Sequence, residues 1–93
     1  MTRVLVVDDE PQIVRALSIS LRARKYDVVV AATGRQALAA AARAAPDLVL
    51  LDLGLPDLDG VDVIRGLRAW SRVPIIILSG RHQGATKVDA LDE

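Results

Sequence analysis

Four short runs of aliphatic residues, separated by longer stretches with helical spacing, restrict what this chain can fold into more than any other feature. The runs are Val4-Leu5-Val6-Val7, Val28-Val29-Val30, Leu48-Val49-Leu50-Leu51 and Ile75-Ile76-Ile77-Leu78. Each is continuously apolar rather than alternating, as a strand buried on both faces should be. Between the first two, Ile13, Val14, Leu17 and Leu21 recur at three- and four-residue steps and form one apolar stripe. Asp9 can cap that helix, and Pro11 suits its first turn. Thr33-Gly34-Arg35-Gln36 has capping-box spacing and opens an Ala-rich helix to about Ala45, which Pro46-Asp47 stops. Val61, Ile64, Leu67 and Arg68 mark a third helix through about Trp70. A last segment from about Ala85, with Val88 and Leu91, is predicted to begin another helix. Strands alternating with helices imply right-handed crossovers and a parallel sheet covered on both faces.

Length holds this pattern to one small domain, residues 1–93. With 52% of residues apolar and 26% charged, the composition suits a packed core rather than a disordered chain. The single Tyr, single Trp and absent Phe leave Val, Leu, Ile and Ala to fill that core. Twelve cationic and twelve anionic residues balance, so no general pull toward nucleic acid exists. The absence of Cys excludes a disulfide framework and a thiolate metal site, which fits a cytoplasmic location. Met1-Thr2-Arg3 leads straight into the first apolar run, too short for a signal peptide, and no run approaches a membrane span.

In open parallel sheets, function gathers outside the carboxyl ends of the strands. Here the first run ends in Asp8-Asp9, the third in Asp52 and the fourth in Ser79. Aligned strands would bring three carboxylates and a hydroxyl to one edge. Three crowded carboxylates repel unless a cation or protons neutralise them. An all-oxygen donor set suits a hard divalent ion, above all Mg²⁺, which keeps several waters and needs few protein ligands. A phosphoryl oxygen could complete its sphere, and Asp52 is a sensible nucleophile for an aspartyl-phosphate. Ser79 could donate a hydrogen bond to the phosphoryl group. Each residue alone has a plainer reading. Asp8-Asp9-Glu10 before Pro11 can be capping and favourable charge at a helix start, Asp52 a loop acid, and Ser79-Gly80 a turn. Their shared position at strand ends is what favours the chemical reading.

Val-Leu-Val-Val-Asp-Asp-Glu-Pro (4–11), Leu-Leu-Asp-Leu-Gly-Leu-Pro-Asp-Leu-Asp-Gly (50–60) and Val-Pro-Ile-Ile-Ile-Leu-Ser-Gly-Arg (73–81) resemble the receiver domains of two-component response regulators in order, spacing and strand-end placement. The Gly-Leu-Pro-Asp loop and the Leu-Ser-Gly-Arg segment look most like winged-helix regulators of the OmpR/PhoB class, and within it KdpE-type regulators of potassium transport. The resemblance implies an α/β flavodoxin-like fold with strand order 2-1-3-4-5. It implies phosphorylation of Asp52 by a sensor histidine kinase, with Mg²⁺ held by Asp9, Asp52 and the Gly54 backbone carbonyl, and by Asp8 through water. Ser79 would follow the phosphoryl group and switch the surface beyond it. Gly54 and Arg81 sit where family members tune phosphate lifetime. Such a domain catalyses only its own phosphorylation and dephosphorylation, is not an enzyme otherwise, and can pair with a second receiver.

Family members also carry a fifth strand ending in Lys-Pro, an aromatic switch residue before it and a fifth helix. The chain is expected to stop short of all three, and of a DNA-binding domain, so that DNA would be reached only through a domain not present. Lys25 and Lys87 match neither the position nor the motif of the family's lysine, so no catalytic lysine is expected. Without a fifth strand, Ile75–Leu78 would be an exposed apolar edge. That motivates an alternative function: an interaction module, impaired in phosphotransfer, that dimerises or swaps through its open edge. An aspartate-nucleophile phosphatase would want a second acid two residues after Asp52, where Gly54 stands. No G-x-x-x-x-G-K-[ST] signature of a P-loop enzyme occurs.

Overall fold

The computed structural model describes residues 1–79 and 87–91. Its elements run β1 (Arg3–Val7), α1 (Pro11–Ala23), β2 (Asp27–Ala31), α2 (Gly34–Ala44), β3 (Leu48–Asp52), α3 (Gly60–Arg68), β4 (Ile75–Ser79) and β5 (Lys87–Leu91). They form one sheet in the order β2-β1-β3-β4-β5. The first four strands are parallel, as the apolar runs imply.

Because side chains alternate across a strand, the continuous runs feed two cores. Leu5, Val7, Val49, Leu51, Ile75 and Ile77 face one side, where they pack with Ala37, Ala40, Ala41, Val63 and Leu67 of α2 and α3. Val4, Val6, Val28 and Leu50 face the other, against Leu17 and Leu21 of α1. The alanines of α2 let that helix lie close to the sheet. Fully buried Leu5, Leu51, Leu67 and Ile75 each contribute about 1.5–3 kcal/mol of burial free energy.

The helix ends follow local rules with one exception. Thr33 caps α2, its hydroxyl accepting from the Gln36 N–H at 3.1 Å, while the Gln36 side chain accepts from the Ala32 N–H at 2.9 Å. Pro11 begins α1 as expected, but the residue at its N-cap is Glu10, which makes no side-chain cap. Asp9, expected as the cap, stands one residue before that position. The stripe of α1 is also shifted: Ile13 is exposed and Ser18 is buried beside Leu17 and Leu21.

The end of the chain departs from the sequence reading. Lys87–Leu91 is a strand, not the start of a helix, and runs antiparallel to β4 with Ser79 opposite Lys87 and Ile75 opposite Leu91. Residues 80–86 are too few for a parallel crossover, which takes about a dozen residues or more, whereas an antiparallel return needs only a short connection. The edge of β4 is consequently paired rather than exposed, which removes the motive for the edge-swapping alternative. The start of the expected helix, at Ala85 and Thr86, lies outside the described residues.

At the amino edge of the sheet, Arg3 ties several elements together. Its Nε lies 2.7 Å from Asp27 Oδ2, a guanidinium nitrogen donates to the Ala44 carbonyl at 2.6 Å, and its backbone N–H donates to Asp47 Oδ2 at 2.8 Å.

Candidate functional site at the carboxyl edge

Parallel register decides which residues reach the opposite rim together. Val7 pairs with Leu51, and Asp52 pairs with Leu78. Asp8 thus leaves β1 level with Asp52, while Asp9 and Ser79 lie one residue further along their chains. The side chains of Asp8, Asp9 and Asp52 each offer an oxygen within 4.8 Å of the others. Asp8 and Asp52 are buried and Asp9 is exposed, so the cluster has a closed floor and an open mouth.

Backbone donors orient the two buried acids. Asp8 Oδ1 accepts from the Glu10 N–H at 2.8 Å, and the Asp8 N–H donates to the Ala31 carbonyl at 3.1 Å, extending the ladder past β1. Asp52 Oδ1 accepts from the Gly54 N–H at 3.2 Å, which folds the β3–α3 loop back over the strand end. The first turn of α3 presses on that loop: a Cβ on Gly60 would stand 2.8 Å from the Leu53 Cα, so only glycine fits.

Three clustered carboxylates fit a hard divalent cation by donor type and by spacing. Their mutual repulsion is relieved by such an ion. The arrangement can hold a cation beside a carboxylate nucleophile, with the exposed side left for a phosphorylated donor.

Of the residues singled out from sequence, the structure brings Asp8, Asp9 and Asp52 together and keeps Gly54 bonded to Asp52. Ser79 stands at the same rim by its place in β4. Arg81 lies outside the described residues. Lys25 follows α1 with φ of 72°, and the antiparallel register sets Lys87 opposite Ser79 at the rim.

Sequence reasoning quoted Asp57 only as part of the Gly-Leu-Pro-Asp loop and gave it no role. Its carboxylate crosses from the β3–α3 loop to α2 and accepts from the Gly34 N–H at 2.7 Å and the Arg35 N–H at 3.1 Å. The Gly34 N–H first, and the Arg35 N–H after it, hold the Asp57 pKa below its ordinary value, against a smaller opposing effect of desolvation. No local pattern announces this contact, because its partners lie in α2, 23 and 22 residues away along the chain.

The response regulator receiver domain family matches residues 4–93. The transcriptional regulatory protein KdpE of Mycobacterium tuberculosis is 59% identical over 92 residues, covering 99% of this chain and 41% of that protein. The KDP operon transcriptional regulatory protein KdpE of Escherichia coli is 49% identical over the same coverage. This chain therefore spans about two fifths of the length of these curated relatives. Among solved structures, the receiver domain of a sensor histidine kinase from Pseudomonas aeruginosa, with a magnesium ion coordinated in its active site cleft, superposes with a TM-score of 0.81. The two are 36% identical, over 88% of this chain and 70% of that one.

Proposed function

We propose, from the premise that this chain belongs to the response regulator receiver domain family, that its Asp52 accepts a phosphoryl group from the phosphohistidine of a sensor histidine kinase. The single observation that carries the reading is the convergence of Asp8, Asp9 and Asp52 within 4.8 Å at the carboxyl edge of the sheet.

An oxygen of the Asp52 carboxylate attacks phosphorus in line with the departing imidazole nitrogen. The P–N bond breaks, its electron pair stays on the imidazole, which takes up a proton, and an acyl phosphate remains on Asp52. Asp9, Asp52 and the Gly54 carbonyl would hold Mg²⁺, with Asp8 acting through water. Bound there, the ion supplies charge neutralisation for the acids and the phosphoryl oxygens. The Gly54 N–H fixes one Asp52 oxygen by the hydrogen bond it donates. Burial of Asp8 and Asp52 limits access from below, so the donor approaches through the side where Asp9 is exposed.

Ser79 is assigned the hydrogen bond to the phosphoryl group and, through it, the switching of the β4 end. Gly54 and Arg81 are assigned to phosphate lifetime. The reading assigns the regulator to the cytoplasm on the strength of its family. Among the described residues no helix is long and apolar enough to cross a membrane. Pairing with a second receiver on phosphorylation completes the reading.

The test is incubation with acetyl phosphate and Mg²⁺, followed by intact mass. A gain of one phosphoryl group is expected in the wild type, and none in Asp52→Asn or in excess chelator. An adduct that persists in Asp52→Asn would refute the assignment.

A further inference from the structure

We propose that Asp57 is a positioning residue for the cation site: it braces the β3–α3 loop against α2 and so sets where the Gly54 carbonyl points. This rests on the phosphoacceptor reading and deepens it. The loop from Leu53 to Asp59 is fixed at one end by β3 and at the other by Gly60, which packs against Leu53. Between those ends Leu55 and Leu58 pack against the larger core, and two hydrogen-bonded anchors stand beside them. Gly54 N–H bonds Asp52 Oδ1, and both Asp57 carboxylate oxygens bond backbone N–H groups at the start of α2.

An apolar contact reinforces the second anchor. A Cβ on Gly34 would stand 2.9 Å from Leu58 Cβ and 3.0 Å from Val63 Cγ2, so the loop residue after Asp57 lies hard against the helix residue that Asp57 bonds. The brace thus has a charged member and a packed member side by side. The proposed ligand lies three residues before it in the same loop. Mg²⁺ demands near-octahedral placement of its ligands, so a small rotation of the peptide carrying the Gly54 carbonyl weakens binding. Outer partners of metal ligands typically change affinity about 10–100-fold. Asp57 acts through the loop rather than on a ligand directly, so its removal should weaken Mg²⁺ by about 3–10-fold.

The experiment is a Mg²⁺ titration of the ¹⁵N-labelled protein followed by amide NMR, with the Mg²⁺ dependence of acetyl phosphate labelling measured in parallel. Asp57→Ala is expected to shift the Gly34 and Arg35 amide signals, to raise half-saturating Mg²⁺ by about 3–10-fold, and to leave the labelling plateau at saturating Mg²⁺ unchanged. Asp57→Asn keeps one accepting oxygen and should fall between the two. Arg3→Ala supplies the control for general loosening, because Arg3 clamps the far edge of the sheet. It should lower the melting temperature without moving half-saturation. The proposal is overturned if Asp57→Ala loses the amide bonds yet binds Mg²⁺ as the wild type does, or if Arg3→Ala shifts Mg²⁺ binding equally. A wild type that takes neither Mg²⁺ nor phosphoryl would instead overturn the phosphoacceptor reading on which the brace depends.

Discussion

Replacing Asp9 by Asn should reverse its stability rank against the wild type as Mg²⁺ is added. Each pair of carboxylates in the cluster lies within 4.8 Å. At that distance two like charges repel by about 0.9 kcal/mol in bulk water and roughly 3.5 kcal/mol at an effective dielectric constant of 20. Asp9 is exposed, so the aqueous figure applies to it. Its two interactions, with Asp8 and Asp52, sum to about 1.7 kcal/mol, and physiological salt reduces this to about 1 kcal/mol. In chelator, Asp9→Asn should therefore be more stable by about 1 kcal/mol, a rise of roughly 4–8 °C in melting temperature for a domain of this size. Saturating Mg²⁺ at a hundred times its dissociation constant stabilises the wild type by about 2.7 kcal/mol. The variant, lacking one charged ligand, should gain far less, so the two melting curves change order. Differential scanning calorimetry in chelator and across a Mg²⁺ series reads this directly. A variant less stable than wild type in chelator, or one gaining equally from Mg²⁺, would refute the electrostatic account of the rim.

Other substitutions probe the frame around the site. Gly60→Ala meets the Leu53 backbone and should destabilise by about 1–3 kcal/mol in urea unfolding. Gly34→Ala meets only the side chains of Leu58 and Val63 and gains helix propensity, so its loss should be smaller. Ala45 ends α2 at φ of 48°, and Ala45→Gly should stabilise by about 0.5–1 kcal/mol by the same measurement. Ser18 Oγ is buried and has no hydrogen-bond partner among the described residues, so Ser18→Ala should stabilise by about 1 kcal/mol. Asp57 has a folded pKa below its ordinary value of 3.8, so its contribution is complete above that pH and is lost as pH falls through the lower folded value. Asp57→Asn should accordingly flatten the acid limb of the stability profile below about pH 4, as read by circular dichroism.

What could be read in advance follows from how far each contact reaches along the chain. Strands buried on both faces carry their own signature, so β1 to β4 and the rim acids that end them are legible residue by residue. The family motifs cover that same rim. Asp57 was not legible, because its bonds to Gly34 and Arg35 exist only once the loop and α2 are side by side. Ser18 replaces Ile13 on the inner face of α1 because the angle at which a helix meets the sheet is set by packing, not by hydropathy. Residues 87–91 carry Val88 and Leu91 at helical spacing and also Val88 and Ala90 at strand spacing. So short a run does not decide between periods, and the unpaired edge of β4 does. That pairing is also what moves Lys87 to the rim.

Among the described residues the two faces of the sheet are unequally filled, and the rim acids straddle the inequality. Asp52 rises from β3 into a loop fastened to α2 and α3 over the larger core, whereas Asp8 and Asp9 lead into α1, which rests on the smaller one. An ion shared by Asp9 and Asp52 would act as a rivet between a firmly seated half and a lightly seated helix. Its occupancy would be felt as slower amide exchange along Val14 to Leu21, well away from the acids that grip it.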